Sequence, residues 1–247
     1  DATRRSQKDD KEYTGRLVLK PFDKLDIPFI KNLQLGGSFA YARLDTSDLN
    51  VDIDTPGRTT FLEVNSRAKF RVIQDVDDRR RFGFEMAYTC GPLALMGEYI
   101  RNDYHGVLPT DEDAFDFSMK GWYAGMLLML TGERPVISKG VLEKIRPRNN
   151  FDIKGRKWGA WGIGFRYEQF EADQVVYDEL VFEGQSVRRA NSFTAALNWY
   201  LNSMVRFSLN YSRTTFAQPL FLGTSPEGYS YYRDTENVWI TRFQLEF

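Results

Sequence analysis

Six basic residues, Arg16, Lys20, Arg81, Arg166, Arg206 and Arg242, fall at alternate positions of segments that read as β-strands, on the side away from the apolar neighbours. A guanidinium offers a planar fork of N–H donors that matches phosphate-like anions. A column of such groups along a narrow passage of low dielectric raises the local concentration of anions. Glu85, Glu98, Glu168 and Glu246 share that side. Cross-strand ion pairing that merely stiffens a wall accounts for the same ten residues, and six cations against four anions make only a weak bias. A second basic stretch offers Lys144, Arg146, Arg148 and Lys154 as anion-binding candidates, with Lys139, Arg156 and Lys157 nearby. Folded against the polar side it concentrates anions; left in solvent it is an ordinary charged loop.

The elements that must carry these side chains alternate with period two. In the carboxyl-terminal stretch, Trp239, Thr241, Phe243, Leu245 and Phe247 take one side of a strand, and Val238, Ile240, Arg242, Gln244 and Glu246 the other. Strands of this kind, apolar on one face and polar on the other, are the units of a transmembrane β-barrel, with lipid outside and water inside. The same alternation recurs around Phe207, Leu197, Trp161, Leu95, Phe84, Phe39 and Leu17, and residues 115–131 read as a strand with poorly distinguished faces. About nine spanning strands result. An antiparallel sheet closes on itself only with an even number, so the expectation is a porin-like antiparallel barrel of which this chain is a part, with partner strands upstream. Residues 1–11 form a charged leading segment and 12–247 the barrel portion. A signal peptide, if any, lies upstream or has been removed.

Composition agrees. Hydrophobic residues make up 42% and aromatic residues 15% of the 247, too little apolar sequence for membrane helices but enough for alternating strands with aromatic girdles. Trp158, Trp161, Trp199, Tyr211 and Trp239 read as girdle aromatics. Net charge is −1 and Cys90 is the single cysteine, which leaves no global basic field for nucleic acid, no intramolecular disulfide and no Cys/His metal cluster. No metal or other cofactor is expected. Short turns follow Thr89 and Leu201, and long connections run over 102–114, 171–189 and 216–236. Segments 45–80 and 133–157 are long and depart from the pattern, as functional segments often do.

Several stretches resemble the phosphate-selective porin O and P family. They are Gly15 to Phe22, the Thr55-Pro-Gly-Arg-Thr-Thr-Phe61 loop, the Gly91 to Tyr99 hairpin, Gly121 to Glu133, Gly159 to Tyr167, and Leu197 to Asn202. They occur in the family's order from about residue 12 onward. The resemblance implies a trimeric, sixteen-stranded channel in a bacterial outer membrane, of which these motifs form the carboxyl-terminal half or somewhat more. It also implies that partners are outer-membrane lipid, further copies of the chain and small anionic or polar solutes. The lysine cluster that the family associates with phosphate selectivity, on an inward loop of its earlier half, is not in this sequence. Leu127 and Met129 stand where the family more often has polar inward residues.

The expected function is passive diffusion of small solutes, with an anion preference from the arginine column. The alternative is a non-conducting barrel that anchors, or is filled by, partner proteins, and the apolar Leu127/Met129 row motivates it. An outer-membrane hydrolase ranks below both. His105 is the only histidine, and its neighbour Asp103 does not complete a triad or a second acidic dyad.

Overall fold

The computed structural model describes residues 11–25, 27, 30–44, 49–65, 73–110, 113–181, 184–224 and 226–246. Fourteen strands and one short helix follow in chain order. Nine of the strands form the body of one sheet: β1 (Glu12–Leu19), β2 (Gln34–Arg43), β6 (Asp78–Cys90), β7 (Leu93–Pro109), β8 (Phe115–Met129), β11 (Ala160–Ala172), β12 (Arg189–Tyr200), β13 (Val205–Thr224) and β14 (Ser230–Leu245), neighbours in that order. Every pairing is antiparallel. The nine agree with the strands read from alternation. Among the described residues, β1 and β14 are edges and the sheet does not close on itself. Eight antiparallel steps separate these edges, so both run the same way, and antiparallel closure takes an odd number of further strands.

The turns explain the tight end of the sheet. Gly91, at φ +55°, precedes Pro92, whose ring fixes a negative φ. That pair suits a two-residue type II′ hairpin between β6 and β7. Between β12 and β13 the Asn202 carboxamide oxygen accepts the amide N–H of Met204 at 2.7 Å and of Val205 at 2.9 Å, so a side chain closes the turn. Gly159 enters β11 at φ +69°, where an added Cβ would stand 2.3 Å from the Tyr200 carbonyl oxygen.

At the opposite end the expected long loops are largely ordered. β7 continues to Pro109 and β13 to Thr224, so most of 102–114 and 216–236 is strand; continued pairing satisfies the backbone groups of a projecting hairpin. Segment 171–189 contains α1 (Gln174–Glu179). Segment 45–80 contains the hairpin β3 (Asn50–Asp54) and β4 (Thr60–Asn65), together with β5 (Ile73–Asp75), which pairs with the end of β7. Segment 133–157 contains a two-residue pairing of β9 (Ile137–Ser138) with β10 (Val141–Leu142).

Both buried clusters lie on one face, called here the inner face. At the long-loop end, Phe61, Leu62 and Val64 of the hairpin pack with Val107, Phe117, Met119, Val176, Leu180 and Phe216. At the short-turn end, Ile137 and Ile145 pack on Ala87, Ala94, Leu127, Met129, Ala160 and Tyr200. The other face presents exposed Phe84, Trp122, Phe165, Leu197, Trp239 and Phe243. Phe247, the expected end of the apolar row in β14, lies outside the described residues.

Candidate functional site

The register places the inner-face residues strand by strand. Arg16 stands opposite Ser38, Ser38 opposite Gly83, Gly83 opposite Ile100, Ile100 opposite Gly121 and Gly121 opposite Phe170. Two inner-face rows below, Arg166 stands opposite Gly125 and Thr194. Arg206 is opposite Tyr200 and Gln244, and Arg242 is opposite Ser208. Arg81, opposite Ala40 and Asn102, falls on the same face. Lys20 follows β1 and is exposed in the turn region.

Sharing a face does not bring these cations together. The Arg16 guanidinium donates to both Glu85 oxygens, at 3.0 and 2.8 Å, and to the Lys139 carbonyl at 3.0 Å. Arg81 pairs with Glu12, and Arg79 lies 3.7 Å from the same carboxylate. Arg166 donates to Glu168 at 2.6 Å and lies 3.8 Å over the Tyr123 ring. Arg206 donates to the Gln244 carboxamide at 2.6 Å. Arg242 is exposed and has no ion-pair partner among the described residues. Cross-strand ion pairs thus engage Arg16 and Arg81, while Arg166 pairs with Glu168 on its own strand and Arg206 meets an amide across to β14.

Sequence reading missed Arg79, Glu12 and Glu236, which also fall on this face. Arg79 was legible, because starting β6 at Asp78 gives it the parity of Arg81. Gln34 was legible as an inner position but not as an anchor. Its Nε2 donates to the Ile137 carbonyl at 2.6 Å and its Oε1 accepts the Gly140 amide at 3.2 Å, across more than a hundred residues.

These anchors lay segment 133–157 across the inner face at the short-turn end. It reaches from Gln34 and Arg16 on one side to Glu246, which takes an ion pair from Lys144 at 2.9 Å, on the other. The buried Glu133 carboxylate accepts the Arg148 amide at 3.2 Å, and the Arg148 guanidinium donates to the Gly132 carbonyl. Arg146 and Lys154 are exposed without a partner among the described residues. The four loop candidates thus share the segment without converging on one point. Leu127 and Met129 face inward, as parity required, and are covered by Ile137 and Ile145 of the same chain.

The outer face carries aromatic rows. Trp161, Trp199, Phe207 and Phe243 are mutually opposite across β11 to β14, with ring centroids 5.2, 6.0 and 4.7 Å apart in turn. Tyr211 and Trp239 pair at 5.0 Å, and the exposed Trp158 offers its carbonyl to the Trp199 indole N–H at 2.7 Å. His105 lies within β7, not in a loop, and its Nδ1 is 2.8 Å from Asp116, while Asp103 pairs with Arg101. No group of His, Cys, Asp and Glu among the described residues is arranged to hold a metal ion.

A family model described as phosphate-selective porin O and P matches residues 1–217. Porin O of Pseudomonas aeruginosa is 28% identical over 198 residues, an alignment covering 72% of this chain and 43% of that protein. The chain spans less than half the length of this curated relative.

Proposed function

This chain belongs to the phosphate-selective porin O and P family, and from that premise we propose that it builds part of the wall of an outer-membrane channel for passive diffusion of small solutes. The observation that carries the reading is the division of one nine-stranded antiparallel sheet into an apolar, aromatic-banded outer face and a polar inner face. Lipid takes the first and a water-filled lumen the second. The short-turn end is then periplasmic, the long-loop end extracellular, and the working assembly a homotrimer.

Anion preference has two possible sources in the lumen. The wall arginines Arg16, Arg81 and Arg166 are matched with carboxylates, whereas Arg146 and Lys154 of the laid-over segment are exposed. A paired charge presents little field to a passing ion, so the segment is the stronger source. Replacing Lys144, Arg146, Arg148 and Lys154 by glutamine in the full-length protein lowers the anion-to-cation permeability ratio in a planar bilayer. The set Arg16, Arg166, Arg206 and Arg242, neutralised in the same way, lowers it less. An unchanged reversal potential in both sets would overturn the anion reading.

The anchoring alternative drew on the apolar inward row, and burial of Leu127 and Met129 under Ile137 and Ile145 supports self-covering over a partner protein there.

A further inference from the structure

On the outer face, one row at the long-loop end is charged rather than apolar. Arg101 of β7 stands directly opposite Lys120 of β8, Lys120 opposite Glu171 of β11, and Glu171 opposite Arg189 of β12. Three cations thus share one carboxylate, and Arg188, just ahead of β12, adds a fourth. Lys120 and Arg188 both lean on Glu171 at 3.6 Å, longer than a hydrogen bond and divided between two partners. Arg101 is held more closely, by Asp103 at 2.7 Å on its own strand. The Arg101 and Lys120 side chains nevertheless stay 49% and 46% exposed. Like charges directly opposite each other weaken a sheet, so the fold gains nothing from setting Arg101 beside Lys120.

The charges are sorted by height. Asp103 lies one outward position farther from the apolar band than Arg101, opposite Ser118. Asp173, beyond the end of β11, accepts the Ser118 amide at 2.7 Å and the Ser118 hydroxyl at 2.8 Å. On the other side of the row come Tyr99 and Trp122, opposite each other, with the Tyr167 ring 5.4 Å from that of Trp122, and then exposed Phe165 and Leu197. The cations therefore sit between the acids and the aromatic border of the apolar band.

Their height is a second, independent observation. Ten positions separate Glu171 from Trp161 on β11, and Arg189 from Trp199 on β12; both tryptophans belong to the aromatic row at the short-turn end. At ~3.3 Å per residue this is ~33 Å along the strand, and a tilt of ~40° brings it to ~25 Å, the height of the apolar band of an outer-membrane barrel. The basic row stands where lipid headgroups begin.

We propose that this row docks the phosphate group of a membrane lipid, with Arg101 and Lys120 closing on one phosphate and Arg189 extending the strip. The strip rests on the channel reading's assignment of the outer face to lipid, and gives that face a specific partner in the headgroup layer. A phosphate between the two cations converts their repulsion into a shared attraction, the guanidinium supplying forked donors and the ammonium a point charge. The acyl chains then run down past Tyr99, Trp122 and Tyr167.

The test uses the full-length protein in detergent with dioctanoyl phosphatidic acid as the probe, and native mass spectrometry to read bound lipid. Dioctanoylglycerol, with the same chains and no phosphate, and inorganic phosphate are the counterparts. The double variant Arg101→Gln, Lys120→Gln removes two like-charge neighbours from an exposed row, so it folds. It weakens phosphatidic acid binding by about tenfold, the scale of losing a charged hydrogen bond, and leaves dioctanoylglycerol binding unchanged. Arg101→Lys keeps the charge and retains binding. Inorganic phosphate at the concentration of the lipid does not displace it. Equal phosphatidic acid affinity in the wild type and the double variant overturns the strip, and displacement by inorganic phosphate does so by showing a free-anion site. Loss of oligomers in the double variant with lipid affinity intact overturns it in favour of contact between copies. Lipid bound through Arg101 and Lys120 in a protein that carries no current in planar bilayers retains the strip and overturns the channel reading instead.

Discussion

Two bodies of chain cover the inner face, and they are held by different physics. At the long-loop end, Leu62, Val64, Val107, Val176 and Val181 are sealed from solvent in one apolar cluster that joins the β3–β4 hairpin, α1 and the projecting strands. At the short-turn end, segment 133–157 brings Ile137 and Ile145 to the wall and otherwise hangs on polar anchors, namely Gln34, Arg16, Glu133 and Glu246. Apolar burial is non-directional and grows with area, so the first body has a core like that of a small soluble domain. The second is positioned by a few directed bonds that leave its basic side chains facing water, the arrangement a solute-handling surface needs. Apolar burial and exposed basic charge are thereby separated along the strands of the sheet.

The sharpest way to break that contrast is Leu62→Ala. A fully buried leucine in a continuous core costs about 2–5 kcal/mol on truncation, read from denaturant unfolding of the refolded full-length protein. Amide exchange in 133–157 should stay unchanged; simultaneous opening of both ends would show that the two bodies are one cooperative unit. Ile145→Ala comes next, at about 2–3 kcal/mol because its cluster is smaller. Release of the segment from Leu127 and Met129 raises single-channel conductance, and an unaltered conductance would deny that the segment narrows the passage. Gln34→Leu has the smallest effect. It strands the Ile137 carbonyl and the Gly140 amide for about 1–2 kcal/mol, and the Gly140 amide then exchanges faster while the hairpin end stays protected.

The strands were legible for a local reason. Each strand's two faces meet different solvents, so parity around Trp161, Leu197, Phe207 and Trp239 identified its outward side without knowledge of any neighbour. Parity also put Arg16, Arg81, Arg166, Arg206 and Arg242 on one face. It put Arg166 and Glu168 on one side of one strand, but it did not reveal that Arg81 and Arg16 are matched by carboxylates, because Glu12 lies before the stretch read as β1 and Glu85 pairs across two strands. The projecting ends of β7 and β13 were read as loops because outside an apolar environment their alternation fades, while backbone pairing continues regardless.

Sequence by itself determined the class of wall, the nine strands of its body, the side taken by most of their alternating residues and, through its motifs, the family. Those properties depend on period-two patterning and short turns, which are written within a dozen residues. Only the tertiary structure decided where segments 45–80 and 133–157 lie, that Leu127 and Met129 are covered by the chain's own isoleucines, and that Arg16 and Arg81 are matched by Glu85 and Glu12. Those outcomes depend on contacts between residues far apart in sequence, where packing and charge balance are settled by the sum of many weak terms that no local pattern records.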